Sequence, residues 1–141
     1  MNTPYQTKFF KFSALWNLVW GAGILFFHSQ VFAYLNISFT ASGVNTAFAQ
    51  MVGMAVLMFG IFYYLCGVSL EKNQLLCWFG VLGKLGTFFF FFGHYLLDPS
   101  LLILAIGGVG DLIFAVLFIR ELRTLKERAI NPFSSLRDTG R

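Results

Sequence analysis

Long apolar stretches alternate with short polar breaks along this chain. The apolar stretches run at about 12–36, 47–69, 75–97 and 100–122, each matching the roughly 20 residues that cross a hydrocarbon core of about 30 Å. Four membrane-spanning helices are expected from this pattern. The breaks are brief: the uncharged, turn-rich NISFTASGVN, then Glu71-Lys72-Asn73-Gln74, then Asp98-Pro99-Ser100. Connections this short predict that successive helices run antiparallel. The expected fold class is an all-α polytopic membrane protein, an antiparallel four-transmembrane-helix bundle over residues 1–122 with a basic tail over 123–141. The tail is expected to continue helix 4 and to fray near Asn131-Pro132, because proline disfavours helix in the residue before it. The first apolar stretch reads as helix 1 and not as a signal peptide, since it runs too long and no small-residue cleavage site follows it.

Composition agrees. Hydrophobic residues make up 57% and charged residues 11% of the chain, against about 25% charged in soluble proteins. The mean hydropathy is +0.72. The 141 residues leave no room for a separate soluble domain beside four spans.

Charge sets the expected orientation, because loops on the cytoplasmic side are enriched in Lys and Arg. Lys8 and Lys11 precede helix 1, and Lys72 lies between helices 2 and 3. Arg120, Arg123, Lys126, Arg128, Arg137 and Arg141 lie at or beyond the end of helix 4. With four spans these nine residues fall on one side, which places both termini in the cytoplasm and the protein in the cytoplasmic (inner) membrane. The formal net charge of +4 then suits anionic lipid headgroups and not nucleic acid, since Glu121, Glu127 and Asp138 dilute the basic tail.

Lys84 is the tenth basic residue, and it stands inside GVLGKLGTFFFFFGHYL, deep in helix 3. At about 1.5 Å per residue, Lys84 lies roughly 13 to 14 Å inside the expected cytoplasmic boundary, and Asp111 of helix 4 reaches the same depth. Either charge alone is costly there, by about 2.5 to 3.5 kcal/mol on insertion scales, so the two are expected to pair. Gly80, Gly83 and Gly86 around Lys84, and Gly107, Gly108 and Gly110 before Asp111, are expected to let helices 3 and 4 approach closely.

A helical period through the remaining polar and small residues predicts one stripe per helix. Asn17, Gly21 and His28 lie on helix 1; Gln50, Gly53, Gly60 and Tyr64 on helix 2; Gly80, Lys84, Thr87 and His94 on helix 3; Gly107, Asp111 and Ala115 on helix 4. Facing inward, these would form an intramembrane polar column. Its layers would be Asn17 and Tyr64 toward the cytoplasm, Lys84, Thr87 and Asp111 in the middle, and His28, Gln50 and His94 toward the outside.

Other chemistry finds little footing. His28 and His94 lack a third ligand beyond Gln50, and no HExxH or CxxC spacing occurs, so neither a metal nor a cofactor is expected. Cys66 and Cys77 are expected to be free thiols in a reducing compartment. Trp16, Trp20 and Trp78 suit an interfacial belt, and the run Phe88 to Phe92 covers every face of a helix. No catalytic triad, carboxylate pair or phosphate loop is present in the sequence, which argues against an enzyme.

WNLVWGAGILFF in helix 1, GVLGKLGTFFFF in helix 3 and GDLIFAVLFIREL in helix 4 resemble small bacterial four-helix integral membrane proteins of uncharacterised activity. That pattern pairs a Gly-Lys in the third helix with a Gly-Asp in the fourth, and the likeness spans roughly residues 12–123. The resemblance implies a compact four-helix fold and points to Lys84 and Asp111. It brings no activity, and it has no counterpart for His28 or His94.

The expected function is therefore that of a small membrane accessory or interaction protein, with the lipid bilayer and a larger membrane-protein partner or a homo-oligomer as partners. The alternative is a transporter or lipophilic-ligand binder that uses the polar column. An intramembrane enzyme acting on a lipid or quinone is a third reading.

Overall fold

A computed structural model describes residues 2–130, with side chains described through Glu127, so the part of the expected 123–141 tail from 131 on, with its expected fraying at Asn131-Pro132, lies outside the described residues. The helices are α1 (Pro4–Tyr34), α2 (Gly43–Val68), α3 (Gln74–Leu97) and α4 (Leu102–Ile130), with a 3-10 turn at Pro99–Leu101 leading into α4. There is no strand among the described residues. All four helices are long and apolar enough to cross a membrane, which marks a multi-pass membrane protein compatible with a four-helix bundle.

α3 keeps to its apolar stretch within a residue, whereas α1 and α2 start before theirs, where caps set the first turn. α1 begins at Pro4, about two turns before its apolar stretch. Thr3 and Gln6 form a capping box: the Thr3 hydroxyl accepts the Gln6 N–H at 3.1 Å, and Gln6 Oε1 accepts the Thr3 N–H at 3.0 Å. Pro4 in the first turn has the φ a helix needs and no N–H to leave unpaired. α2 starts at Gly43, where the Ser42 hydroxyl accepts the Asn45 N–H at 3.2 Å. α4 starts after the 3-10 turn and runs on to Ile130.

The turn between α2 and α3 is closed by two asparagines. Asn73 donates its amide to the carbonyls of Leu65, at 3.0 Å, and Ser69, at 2.8 Å. From the other end of the sequence, the Asn2 amide donates to the carbonyls of Cys66, at 2.8 Å, and Gly67, at 3.1 Å, and its oxygen accepts the Leu70 N–H at 2.8 Å. Carbonyls in the last turn of a helix lack a partner within it, so the Asn2 bonds satisfy Cys66 and Gly67, while Asn73 adds a second bond to Leu65 and Ser69, which already accept the N–H groups of Ser69 and Asn73.

α1 lies along α2, and α3 along α4. Lys11 meets Gly67, Leu18 meets Gly60, and Leu25 meets Gly53. At the Gly21/Gly53 crossing the backbones themselves touch: a Cβ on Gly21 would stand 2.6 Å from Leu57 N, and one on Gly53 would stand 2.5 Å from Leu25 N. No side-chain motion relieves a clash with backbone, so only glycine allows this approach.

The two pairs meet around Phe10, Tyr63, Cys66, Leu70, Cys77, Val81, Ala115 and Phe118, all buried. Phe118 is the centre, stacked on Phe10 at 5.2 Å and edge-on to Tyr63 at 4.8 Å between ring centroids. This core occupies the half of the molecule that carries Lys8, Lys11, Lys72 and Arg120, the basic end. Toward the far end, α1 has no buried residue after Gly21 and α3 has none after Lys84. Side chains such as Phe26, Phe89 and Ile106 are more than half exposed there. Lipid is as apolar as they are, so such exposure carries no hydrophobic penalty.

Candidate functional site

Lys84 sits at the last buried turn of α3, with a relative exposure of 8%. Its ammonium forms a salt bridge with Asp111 Oδ1 of α4 and donates to Asn17 Oδ1 of α1 at 3.3 Å. The same nitrogen lies 5.9 Å from the ring centre of Tyr63 in α2 and 5.3 Å from that of Phe114 in α4. One ammonium thus touches all three other helices. Two oxygens and two aromatic faces surround it, which is the compensation that a buried cation requires. The pairing of Lys84 with Asp111 expected from their matching depth is present.

The glycines beside this lysine act differently from the expectation. A Cβ on Gly80 would strike Tyr63 Cε1, and one on Gly83 would come within 2.6 Å of Phe59 Cζ. Both glycines therefore admit aromatic rings from α2, and the Tyr63 hydroxyl donates to the Gly80 carbonyl at 3.5 Å. Gly86, Gly107 and Gly110 face open space. Of the six glycines, only Gly108 serves the α3–α4 contact, where its Cβ position is 3.3 Å from Phe88 Cα.

The expected column does not assemble as a column. Asn17, Lys84 and Asp111 come together. Tyr64 is 50% exposed, and its neighbour Tyr63, at 1%, fills the inward place. Gln50 is exposed while Ala49 is buried. Both corrections have one cause: a period of 3.6 residues leaves steps of three and four nearly equivalent, and helix packing chose Ala49, Gly53, Gly60 and Tyr63 as the buried line of α2.

Thr87 is half-buried, and its hydroxyl donates to the Gly83 carbonyl of its own helix at 3.0 Å. His94 is exposed, edge-on to Phe90 at 4.5 Å. His28 is half-buried just after a kink at Phe27, against the ring of Phe39 at 5.4 Å, and its Nδ1 has no hydrogen-bond partner. These groups do not reach the lysine centre, and no cluster of three metal-ligating side chains occurs among the described residues.

Sequence reasoning missed Tyr63 and Phe114 as neighbours of the lysine. The only signals were their spacing three residues after Gly60 and after Asp111, and any apolar helix offers many such positions. Cys66 and Cys77 are both fully buried free thiols in the core, and the Cys66 thiol donates to the Asn73 carbonyl at 3.5 Å.

The site that results is a polar layer between the four helices, beside which Gln6, Ser13 and Glu121 are also buried. It holds one cation, one carboxylate and one amide. Comparison with family models, with curated proteins and with solved structures finds no match to this chain, so its functional reading rests on its own residues.

Proposed function

We propose that this chain is a small accessory or interaction protein of the cytoplasmic (inner) membrane, an antiparallel four-helix bundle with both termini in the cytoplasm. Lys84 and Asp111 act in it as a structural lock. The observation that carries this reading is the full use of the Lys84 ammonium inside the protein, by Asp111, Asn17 and the rings of Tyr63 and Phe114. A residue held on four sides is suited to fixing helices and poorly suited to releasing a substrate or a proton at each cycle. The basic residues Lys8, Lys11, Lys72, Arg120, Arg123 and Lys126 support the orientation through their clustering toward one side. The contacts of Lys11, Leu18 and Leu25 with Gly67, Gly60 and Gly53, in reversed chain order, support the antiparallel arrangement.

The alternative, transport or ligand binding along a polar column, loses support because Gln50, Tyr64 and His94 are exposed.

The test is native mass spectrometry of the protein gently extracted from its own membrane, for the natural chain and for the double Lys84→Leu, Asp111→Leu variant. A defined assembly with a larger membrane protein or with further copies, retained by the double variant, supports the accessory reading. A natural chain that is always monomeric, or a small molecule retained only while Lys84 and Asp111 are present, overturns it.

A further inference from the structure

At the far end, where the close packing between the helix pairs has ended, an open cleft of about 320 Å³ separates the end of α1 from the start of α4. Leu35, Ile103 and Ile106 make apolar walls, while Asn36 and Ser100 supply polar groups. Its volume lies near the lower limit of ligand sites, about 300 to 1,000 Å³, so it suits a segment of an acyl chain whose remainder stays in the bilayer.

The charge beside the cleft is specific. Asp98 is the only charged residue between 85 and 110, and there is none between 12 and 70, so it is the sole charge at the far end. It is fully exposed, and its Oδ1 accepts the Ser100 N–H at 3.0 Å, which fixes the carboxylate next to a residue that lines the cleft. The Ser100 hydroxyl, and then the Ser100 N–H, hold this carboxyl below the usual carboxylate range. An ionised acid with no lysine or arginine nearby repels an anionic headgroup and attracts a cationic one.

We propose that this cleft is a lipid site selective for a phospholipid with a primary ammonium headgroup, with one acyl chain against Ile103 and Ile106 and the ammonium at Asp98. Apolar walls with polar groups and a single carboxylate match the two ends of such a molecule. The opposite, basic end of the protein suits anionic lipids, so the two ends select differently. This site is independent of the accessory role of the bundle and of the Lys84 lock.

The experiment uses the whole protein in detergent with an equimolar mixture of phosphatidylethanolamine and phosphatidylglycerol of identical acyl chains, read by native mass spectrometry. To remove the basic end from the reading, the natural chain is compared with Asp98→Asn and with Ile103→Trp, which fills the cleft. The natural chain should retain phosphatidylethanolamine about three- to fivefold more than Asp98→Asn does, the ratio expected of an exposed charge pair. Ile103→Trp should lose one bound phosphatidylethanolamine while its bound phosphatidylglycerol stays unchanged. Circular dichroism and thermal melts establish that both variants are folded, and Asp98→Glu, which keeps the charge, should restore most of the preference. Equal retention of phosphatidylethanolamine by the natural chain, Asp98→Asn and Ile103→Trp overturns the proposal, as does loss of both lipids in parallel.

Discussion

Lys84 and Asn17 lie 67 positions apart in the chain, yet their side chains meet at 3.3 Å in the middle of the bundle. Through this bond and its salt bridge to Asp111, Lys84 ties the α1–α2 pair to the α3–α4 pair at the point where their close packing ends. The lysine therefore lies at the boundary of the close-packed core.

Breaking the lock one residue at a time should cost more than removing it whole. Lys84→Ala or Asp111→Ala leaves a buried charge unpaired and should destabilise the protein by about 3 kcal/mol, while the double Lys84→Leu, Asp111→Leu variant should lose much less. Asn17→Leu should cost about 1 kcal/mol in the natural background and close to nothing in the double variant. Unfolding in mixed detergent with a double-mutant cycle measures each term, and additive effects would exclude coupling among the three.

Two adjacent tyrosines should respond very differently. Tyr63→Ala removes a buried ring that packs on Phe118 and faces Lys84, and it should cost about 3 kcal/mol or more. Tyr64→Ala alters a half-exposed side chain and should stay within about 0.5 kcal/mol. Similar losses at both positions would show that the buried line of α2 has been misassigned.

Glycine substitutions separate close crossings from open faces. Gly53→Ala would press on the backbone of Leu25 and should destabilise by about 1 to 3 kcal/mol, through separation of α1 from α2. Gly86→Ala meets open space and should be neutral or stabilising by up to about 1 kcal/mol. Thermal melts of the two variants in one detergent decide between these outcomes.

The asparagine clasp should control access to the core thiols. Cys66 and Cys77 are fully buried, so a maleimide should label them slowly in the folded protein and quickly once it is unfolded in dodecyl sulfate. Asn2→Ala removes three hydrogen bonds to the end of α2 and its turn, each contributing on the order of 1 kcal/mol, and should speed labelling of the folded protein. Labelling rates unchanged by Asn2→Ala would mean that the clasp does not limit opening.

Asp98 should leave a trace in acid. Hydrogen bonds from the Ser100 hydroxyl and N–H depress its folded pKa below the unfolded value. Its contribution to stability is therefore fully present above the ordinary carboxylate range and is lost as pH falls through the depressed value. Melts of the natural chain should decline over that acidic window more steeply than those of Asp98→Asn, and superimposable pH profiles would contradict the link.

The number of helices, their apolar character, and the partnership of Lys84 with Asp111 were legible in the sequence, because each follows from quantities that add along one helix: length, hydropathy and depth. The start of α1 was not among them: the apolar stretch placed it near residue 12, while the capping box of Thr3 and Gln6 starts the helix at Pro4. What lay beyond the sequence were choices between near-equivalent positions, Tyr63 over Tyr64 and Ala49 over Gln50. A period of 3.6 residues cannot decide these, whereas the angle at which two helices meet can. The clasp of Asn2 on Leu70, the reach of Lys84 to Asn17 and the turning of Gly80 and Gly83 toward α2 belong to the same class. Each is a meeting of groups distant in sequence, fixed only when the helices pack, and no local pattern encodes it.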